Sequence, residues 1–444
     1  MVEVYGSHSL RSFSTCSINC QSVSLSSSFH SETFDFGLYY LLNTNAMTEP
    51  PKNDPRSRLT VTFRTGEVII LSACHFIHDI YSSFLAPLLP FLIEKFSMSL
   101  TQAGFLSTAM QIPSLLNPLI GVLADRRSVR YFIILAPLTT AVPMSLTGLA
   151  PSYGILLIFM FITGVSVAVF HVPAPVMIGL LSGDKKGRGM SFYMTGGELA
   201  RTMGPLIAVG AVSLLGLEGF WPIMVFGVMA SVWLFFKFRD VPAHTGKTAR
   251  SSLAATFHET KHVLLPLSAI LVVRGFMHAS MITFLPTFIK QETDNIWLAG
   301  FALTALEGIG VVAVLSSGIL SDYFGRRRIL FFALLGAPIC LFLFIVTGGL
   351  LRFIMLLFTG FTLLSTTPVM LAMVQEHAEN SPAAANGMLM MVSFLARSAV
   401  VVFVGMIADR IGLHATYLIS AGIGLLGIPF ILILPHERKK AFKA

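Results

Sequence analysis

Charge is what this sequence has least of. Asp, Glu, Lys and Arg make up 12% of its 444 residues, against about 25% in ordinary soluble chains. Cysteine is scarce too. Cys16, Cys20, Cys74 and Cys340 form neither a disulfide framework nor a metal-ligand spacing. The chain carries no phosphate-binding P-loop, no Rossmann fingerprint, no G-x-S-x-G elbow and no H-E-x-x-H zinc tract. ATP-driven chemistry, nucleotide-dependent redox chemistry and metalloproteolysis therefore have no footing, and an enzyme is not expected. Residues 1–46 lack both the basic start and the long apolar core of a signal peptide.

Apolar residues are abundant, at 54% of the chain, with a mean hydropathy of +0.77. A membrane-crossing helix needs about 20 apolar residues. Twelve such runs can be read, at 68–93, 100–124, 131–150, 153–180, 190–215, 219–237, 263–289, 298–321, 329–349, 351–375, 384–408 and 413–435. The expected fold is an all-α membrane protein with twelve transmembrane helices in two six-helix halves. A polar tail occupies 1–64. One half follows at 65–237, then a basic, Ser/Thr-rich connector at 238–262, the second half at 263–435 and a basic tail at 436–444. Two readings stay open for 1–46: a start placed upstream of a true beginning at Met47, or a tail without packed structure.

The formal net charge of +8 is distributed as a topology signal and does not point to nucleic acid. With both termini cytoplasmic, twenty-two Lys and Arg fall in internal loops and tails, and four (Lys95, Lys290, Arg352, Arg410) fall outside. Basic residues favour the cytoplasmic side, and the opposite orientation would invert that ratio.

Ionisable groups inside membrane spans are costly, which makes each a candidate site. Three acids and three bases lie there: Asp79, Glu198, Glu307, Arg201, Arg274 and Arg397. His75, His78, His171 and His278 accompany them. His75 and Asp79 are four apart and share a helix face; His78 points about 100° away. A carboxylate in a poorly hydrated cavity with a histidine beside it suits proton coupling, so Asp79 is expected to carry the proton, with His75 and His78 tuning it. Glu198 and Arg201, three apart, can pair along one helix. Arg274 has no acid within four residues. Together with His171, His278, Glu307 and Arg397 they are the expected substrate-cavity residues. The histidines raise a zinc reading, but polar linking is the commoner role of such residues, and no metal and no cofactor are expected.

Two segments repeat. GVLADRRSVR runs from Gly121 to Arg130, and GILSDYFGRRR from Gly318 to Arg328. Each joins small residues, an acid at a helix end and a basic cluster, at matching places in the two halves, as duplicated transporters do. They resemble the signature loop of the major facilitator superfamily over about 65–435; the first copy has Ser128 where the family has glycine. HFIHD (His75 to Asp79), VFHVPAP (Val169 to Pro175) and GGELARTMGPL (Gly196 to Leu206) resemble the fosmidomycin-resistance group of that superfamily. The resemblance implies alternating access in a bacterial inner (plasma) membrane, as a monomer whose partners are protons, the lipid bilayer and a small-molecule substrate. It implies gating by Gly121, Asp125, Arg126, Gly318, Asp322, Gly325 and Arg326. The family's helix 4 arginine is absent before Gly164, and Ala208 and Val209 stand where its antiporter motif has paired glycines. Proton-driven efflux of a small drug-like or anionic compound is the expected activity. Organic-anion uptake by symport is the alternative within the class, and a membrane sensor without transport the alternative outside it.

Overall fold

The computed structural model describes residues 63–126, 130–183, 185–240, 253–378 and 382–435. The expected tails, apart from Phe63 and Arg64, and the connector's 241–252 lie outside them. Every regular element among the described residues is helical. Before the connector come α1 (Thr65–Ser82), α2 (Leu85–Phe96), α3 (Leu100–Gln111), α4 (Asn117–Arg126), α5 (Arg130–Ser145), α6 (Tyr153–His171), α7 (Ala174–Leu181), α8 (Lys186–Leu215) and α9 (Val225–Phe238). After it come α10 (Leu253–His278), α11 (Leu285–Thr293), α12 (Ile296–Phe324), α13 (Arg326–Val346), α14 (Gly349–Leu364), α15 (Thr366–Glu376), α16 (Pro382–Leu425) and α17 (Ile428–Ile433).

Ten helical stretches are long and apolar enough to cross a membrane. The last, Ala385–Ile433, contains Gly412 at φ 80°, a left-handed conformation that glycine adopts without steric cost. The pass from α3 to α4 is not among the ten. A 3-10 turn at Ile112–Leu116 interrupts it, where Pro113 and Pro118 remove two helical N–H donors. Pro173 and Pro175 divide α6 from α7 in the same way. Within helices, hydroxyls return to carbonyls one turn earlier: Ser72 to Val68, Thr260 to Thr256 and Ser268 to Leu264. In an apolar solvent that is the cheapest way to satisfy them.

Large apolar side chains point outward along the bundle, among them Leu214 (85% exposed), Leu350 (74%) and Leu315 (69%). Apolar exposure on this scale would drive association in water and is what a bilayer solvates. Inside, Phe284, Phe288, Phe344 and Tyr417 belong to the main core cluster. A second cluster, with Leu71, Cys74, Phe170 and Tyr193, backs the polar residues of α1.

Candidate proton and substrate sites

Asp79 sits in the last turn of α1, buried, and three imidazoles converge on it. His78 Nδ1 is 2.9 Å and His171 Nε2 3.1 Å from Oδ1; His75 Nε2 is 3.2 Å from Oδ2. His171 closes α6, and it stands with Asp79 rather than among the residues lining the central cavity. His78 reaches the carboxylate although its helical position points elsewhere, because adjacent side chains can fold toward each other. Two of the rings, His75 and His78, are also held from outside. His75 stacks on Tyr193 at 3.9 Å and meets the Tyr193 carbonyl through Nδ1 at 2.8 Å. His78 stacks on Phe170 at 4.3 Å, with Nε2 3.0 Å from the Thr140 hydroxyl. Thr140 continues to Ser166 (2.6 Å), and Ser166 donates to the Ala136 carbonyl at 2.9 Å. Ligating atoms of His75, Asp79 and His171 all lie within 4.8 Å of one another, the compass of one small cation.

Helix α8 covers this cluster with glycines. A methyl group on Gly197 would stand 2.7 Å from His75 Cε1, 3.0 Å from Nε2 and 3.2 Å from Asp79 Oδ2. One on Gly196 would stand 2.5 Å from the Ser72 carbonyl. The GGELAR segment thus permits backbone-to-side-chain approach that any larger residue would block.

One turn along α8, Arg201 lines a central cavity of about 240 Å³. Ser82, Ser83 and Gln111 line it from one half, and His278, Glu307 and Arg397 from the other. Arg201 pairs with Glu198. Arg397 leans on Phe394, its guanidinium 4.6 Å from the ring centre, and donates to the Ser393 carbonyl at 3.4 Å. Among the described residues it has no carboxylate at ion-pair distance. Arg274 is buried away from the cavity, where Nε and Nη2 donate to the Leu363 carbonyl at 3.1 and 2.8 Å.

The repeated loops divide. In the first copy Gly121, Asp125 and Arg126 lie on α4, and the surroundings of these residues are not among those described. In the second copy Arg326 bridges Asp322 (3.0 Å) on α12 and Glu376 (2.9 and 2.8 Å) on α15, and Gly325 takes φ 95° between α12 and α13. Gly318 has open space beside it. All of Arg326's named partners belong to the second half. At the other end of the bundle, Asp409 crosses between halves. Its carboxylate accepts from Leu100 N (2.7 Å), Thr101 N (2.9 Å) and Thr101 Oγ1 (2.5 Å) at the start of α3. Gly405, one turn earlier, faces the Leu100 carbonyl, 2.5 Å from where its Cβ would be. Sequence reasoning passed over Asp409, Glu376, Tyr193 and the Thr140–Ser166 pair, whose partners lie far away in the chain.

Comparison with known proteins agrees with these observations. The Major Facilitator Superfamily model matches residues 71–401 and 299–444. The fosmidomycin resistance protein of Escherichia coli (strain K12) is 25% identical over 412 residues, covering 89% of this chain and all of the relative. YfnC of Bacillus subtilis (strain 168), an uncharacterised MFS-type transporter, is 26% identical over 385 residues, covering 84% and 93%. Among solved structures, a bacterial homologue of the human lysosomal transporter Spinster, inward-facing and occupied, aligns with a TM-score of 0.70 at 17% identity, covering 84% of this chain and 95% of that one. A D-xylose–proton symporter aligns at 0.67 and 16% identity, covering 84% and 98%.

Proposed function

As the chain belongs to the major facilitator superfamily and is a multi-pass membrane transporter rather than an enzyme, we propose that it exports a small drug-like or anionic compound, driven by protons, by alternating access. The observation that carries this reading is the pairing of two polar centres. Asp79 with its three imidazoles offers a buried place for a proton. The cavity a turn away offers Arg397, which has no carboxylate at ion-pair distance among the described residues, and Arg201 beside Glu198, a donor set for an anion. Its volume is below the roughly 300–1,000 Å³ of drug-sized pockets, which favours a small solute. A relative named for fosmidomycin resistance makes fosmidomycin the first compound to try.

In this reading the chain acts as a monomer in a bacterial inner membrane with both termini cytoplasmic. It crosses twelve times, once Ala385–Ile433 is divided at Gly412 and the α3–α4 pass is counted. The bond from Asp409 to α3 closes the outer end. The Asp322–Arg326–Glu376 group, with Asp125 and Arg126 of the first repeat, works the inner one. The test is uptake into inside-out proteoliposomes under an imposed pH gradient, with fosmidomycin and a panel of organic anions. Accumulation that follows the gradient and collapses with a protonophore is expected. Accumulation indifferent to the gradient would overturn proton coupling.

A further inference from the structure

Polar linking accounts for two of the imidazoles around Asp79 and fails for the third. His78 Nδ1 (2.9 Å) and His171 Nε2 (3.1 Å) both stand in hydrogen-bond geometry to Oδ1. His75 Nε2 is 3.2 Å from Oδ2, yet it is buried with no hydrogen-bond partner among the described residues. The two atoms are close without being aligned. A hydrogen bond needs its donor aimed at its acceptor. Two ligands of a third atom need only face a common point.

The far side of the ring decides what His75 offers there. A carbonyl oxygen only accepts. His75 Nδ1, 2.8 Å from the Tyr193 carbonyl, therefore carries the hydrogen, and in the neutral ring Nε2 presents a lone pair. An imidazole whose far N–H is anchored on a carbonyl is the usual form of a metal-bound histidine. Stacking on Tyr193 at 3.9 Å keeps the ring in place. Contact with His78 fixes the carboxylate through Oδ1, so Oδ2 stays turned toward His75. His171, at the end of α6, is the adjustable member. It is half-buried, and among the described residues no hydrogen bond holds its Nδ1. That ring can carry its hydrogen on Nδ1 and turn Nε2 inward as a second lone pair.

The distances suit one ion. Two ligand atoms about 2.0–2.2 Å from a tetrahedral zinc stand roughly 3.3–3.5 Å apart. His75 Nε2 and Asp79 Oδ2 already have a separation of that size. No two ligating atoms of His75, Asp79 and His171 are more than 4.8 Å apart, and rotation of His171 closes the difference. Helix α8 puts no side chain beside Nε2 and Oδ2. Gly197 stands there, where a Cβ would lie 3.0 and 3.2 Å from those atoms. Magnesium and calcium take oxygen ligands, whereas two imidazoles and a carboxylate suit zinc and its neighbours. Arg201, whose charge opposes a cation at Asp79, is tied to Glu198.

We propose that His75 Nε2, the Asp79 carboxylate and His171 Nε2 form a binding site for one divalent transition-metal ion of the zinc class, with a fourth position left to water. The ion would join α1 to the end of α6, against the glycines of α8. Spacing along α1 alone had given these histidines a linking role and no metal. The site goes beyond the proton-coupling reading and stands without it, although ion and proton would contend for the same carboxylate.

The test reads binding directly and needs no transport. The full chain, purified without a polyhistidine tag and cleared of metal with a chelator, is titrated with Zn²⁺ by calorimetry and with Co²⁺ by optical absorption. One ion per chain is expected, with an affinity at least tenfold lower in His171→Gln. His171→Cys should restore binding and add a sulfur-to-cobalt charge-transfer band that the unaltered chain lacks, a signature that a structural role for His171 would not produce. If His171→Gln does not accumulate, His171→Cys carries the test alone. No binding to the unaltered chain would overturn the proposal. So would an unchanged affinity in His171→Gln, which would place the ion on other histidines, or a folded His171→Cys without the band.

Discussion

Replacing Asp409 with alanine should tip the protein toward the state open at the outer end. In the present conformation this carboxylate, on α16 near the turn at Gly412, accepts two backbone N–H groups and one hydroxyl at the start of α3. It therefore acts as a helix cap supplied from the opposite half of the molecule. Losing a capping side chain costs about 0.5–2 kcal/mol, and a negative charge at a helix N-terminus adds roughly 0.3–1 kcal/mol at an exposed site. The same terminus keeps its own capping box, Ser99 with Gln102, so α3 itself stays folded. What is lost is the contact between halves, and with it about 1–2 kcal/mol on one side of a two-state equilibrium, a shift of about 5–30-fold in population. The assay is external labelling of a cysteine placed at Ser83, which lines the central cavity, in a background where Cys16, Cys20, Cys74 and Cys340 are replaced. The impermeant reagent should react several-fold faster in Asp409→Ala, with Asp409→Asn in between. An unchanged labelling rate at equal expression would show that the bond is decoration on a closed interface.

Gly197→Ala should depress pH-gradient-driven transport severely while the chain still inserts, since its new carbon would lie 2.7 Å from the His75 ring; normal transport in liposomes would contradict the close approach. Glu376→Gln should lower thermal stability more than Asp322→Asn, because Arg326 makes two bonds to Glu376 and one to the more exposed Asp322; equal melting shifts would show the pair to be interchangeable. Arg397→Gln should abolish substrate binding with little change in stability. Arg274→Gln should instead lower the melting temperature, because the Leu363 carbonyl loses both bonds from its buried partner; ligand binding and thermal unfolding of the two variants separate these outcomes. Cysteines introduced across 290–297 should label only from outside, and labelling only from the cytoplasmic side would reverse the proposed topology.

The helical class and the family were legible because hydrophobic runs and a repeated loop are local features. The two breaks that matter most were half legible. Gly412 falls between the spans read at 384–408 and 413–435, and prolines mark the 3-10 turn inside the second span. The site was legible only along single helices. His75 and Asp79 announce themselves at i, i+4, and so do Glu198 and Arg201 at i, i+3. Periodicity says nothing of His171, which joins Asp79 from a helix more than ninety residues away in the chain. It sent His78 to the wrong face, because a helical wheel places Cα–Cβ vectors and ignores how adjacent side chains bend. The decisive partner of His75 is a backbone carbonyl, and every residue has one, so no residue type could mark it. Asp409 lies just beyond the span read at 384–408 and drew no reading, because its partners are groups at the start of another helix.

Coupling a proton to a substrate requires one moving part that both of them touch, and α8 is placed to be that part. Gly197 lies against the His75–Asp79 contact, and Arg201, one turn on, lines the cavity. Glu198, between them in sequence, ties Arg201 in the absence of an anion. In the proposed function, an anion entering the cavity would compete with Glu198 for Arg201, and a proton reaching Asp79 would remove a negative charge within electrostatic reach of the same guanidinium. Both events therefore change the charges presented to one rigid helix, at points about 6 Å apart along its axis at 1.5 Å per residue. Neither needs a long relay through the protein. The glycines that let α8 approach α1 closely also leave few side chains to be repacked when it withdraws. Gly197 and Arg201, four apart, share one face of α8, and that is the physical reason to propose the coupling step at the α1–α8 interface rather than at the signature loops.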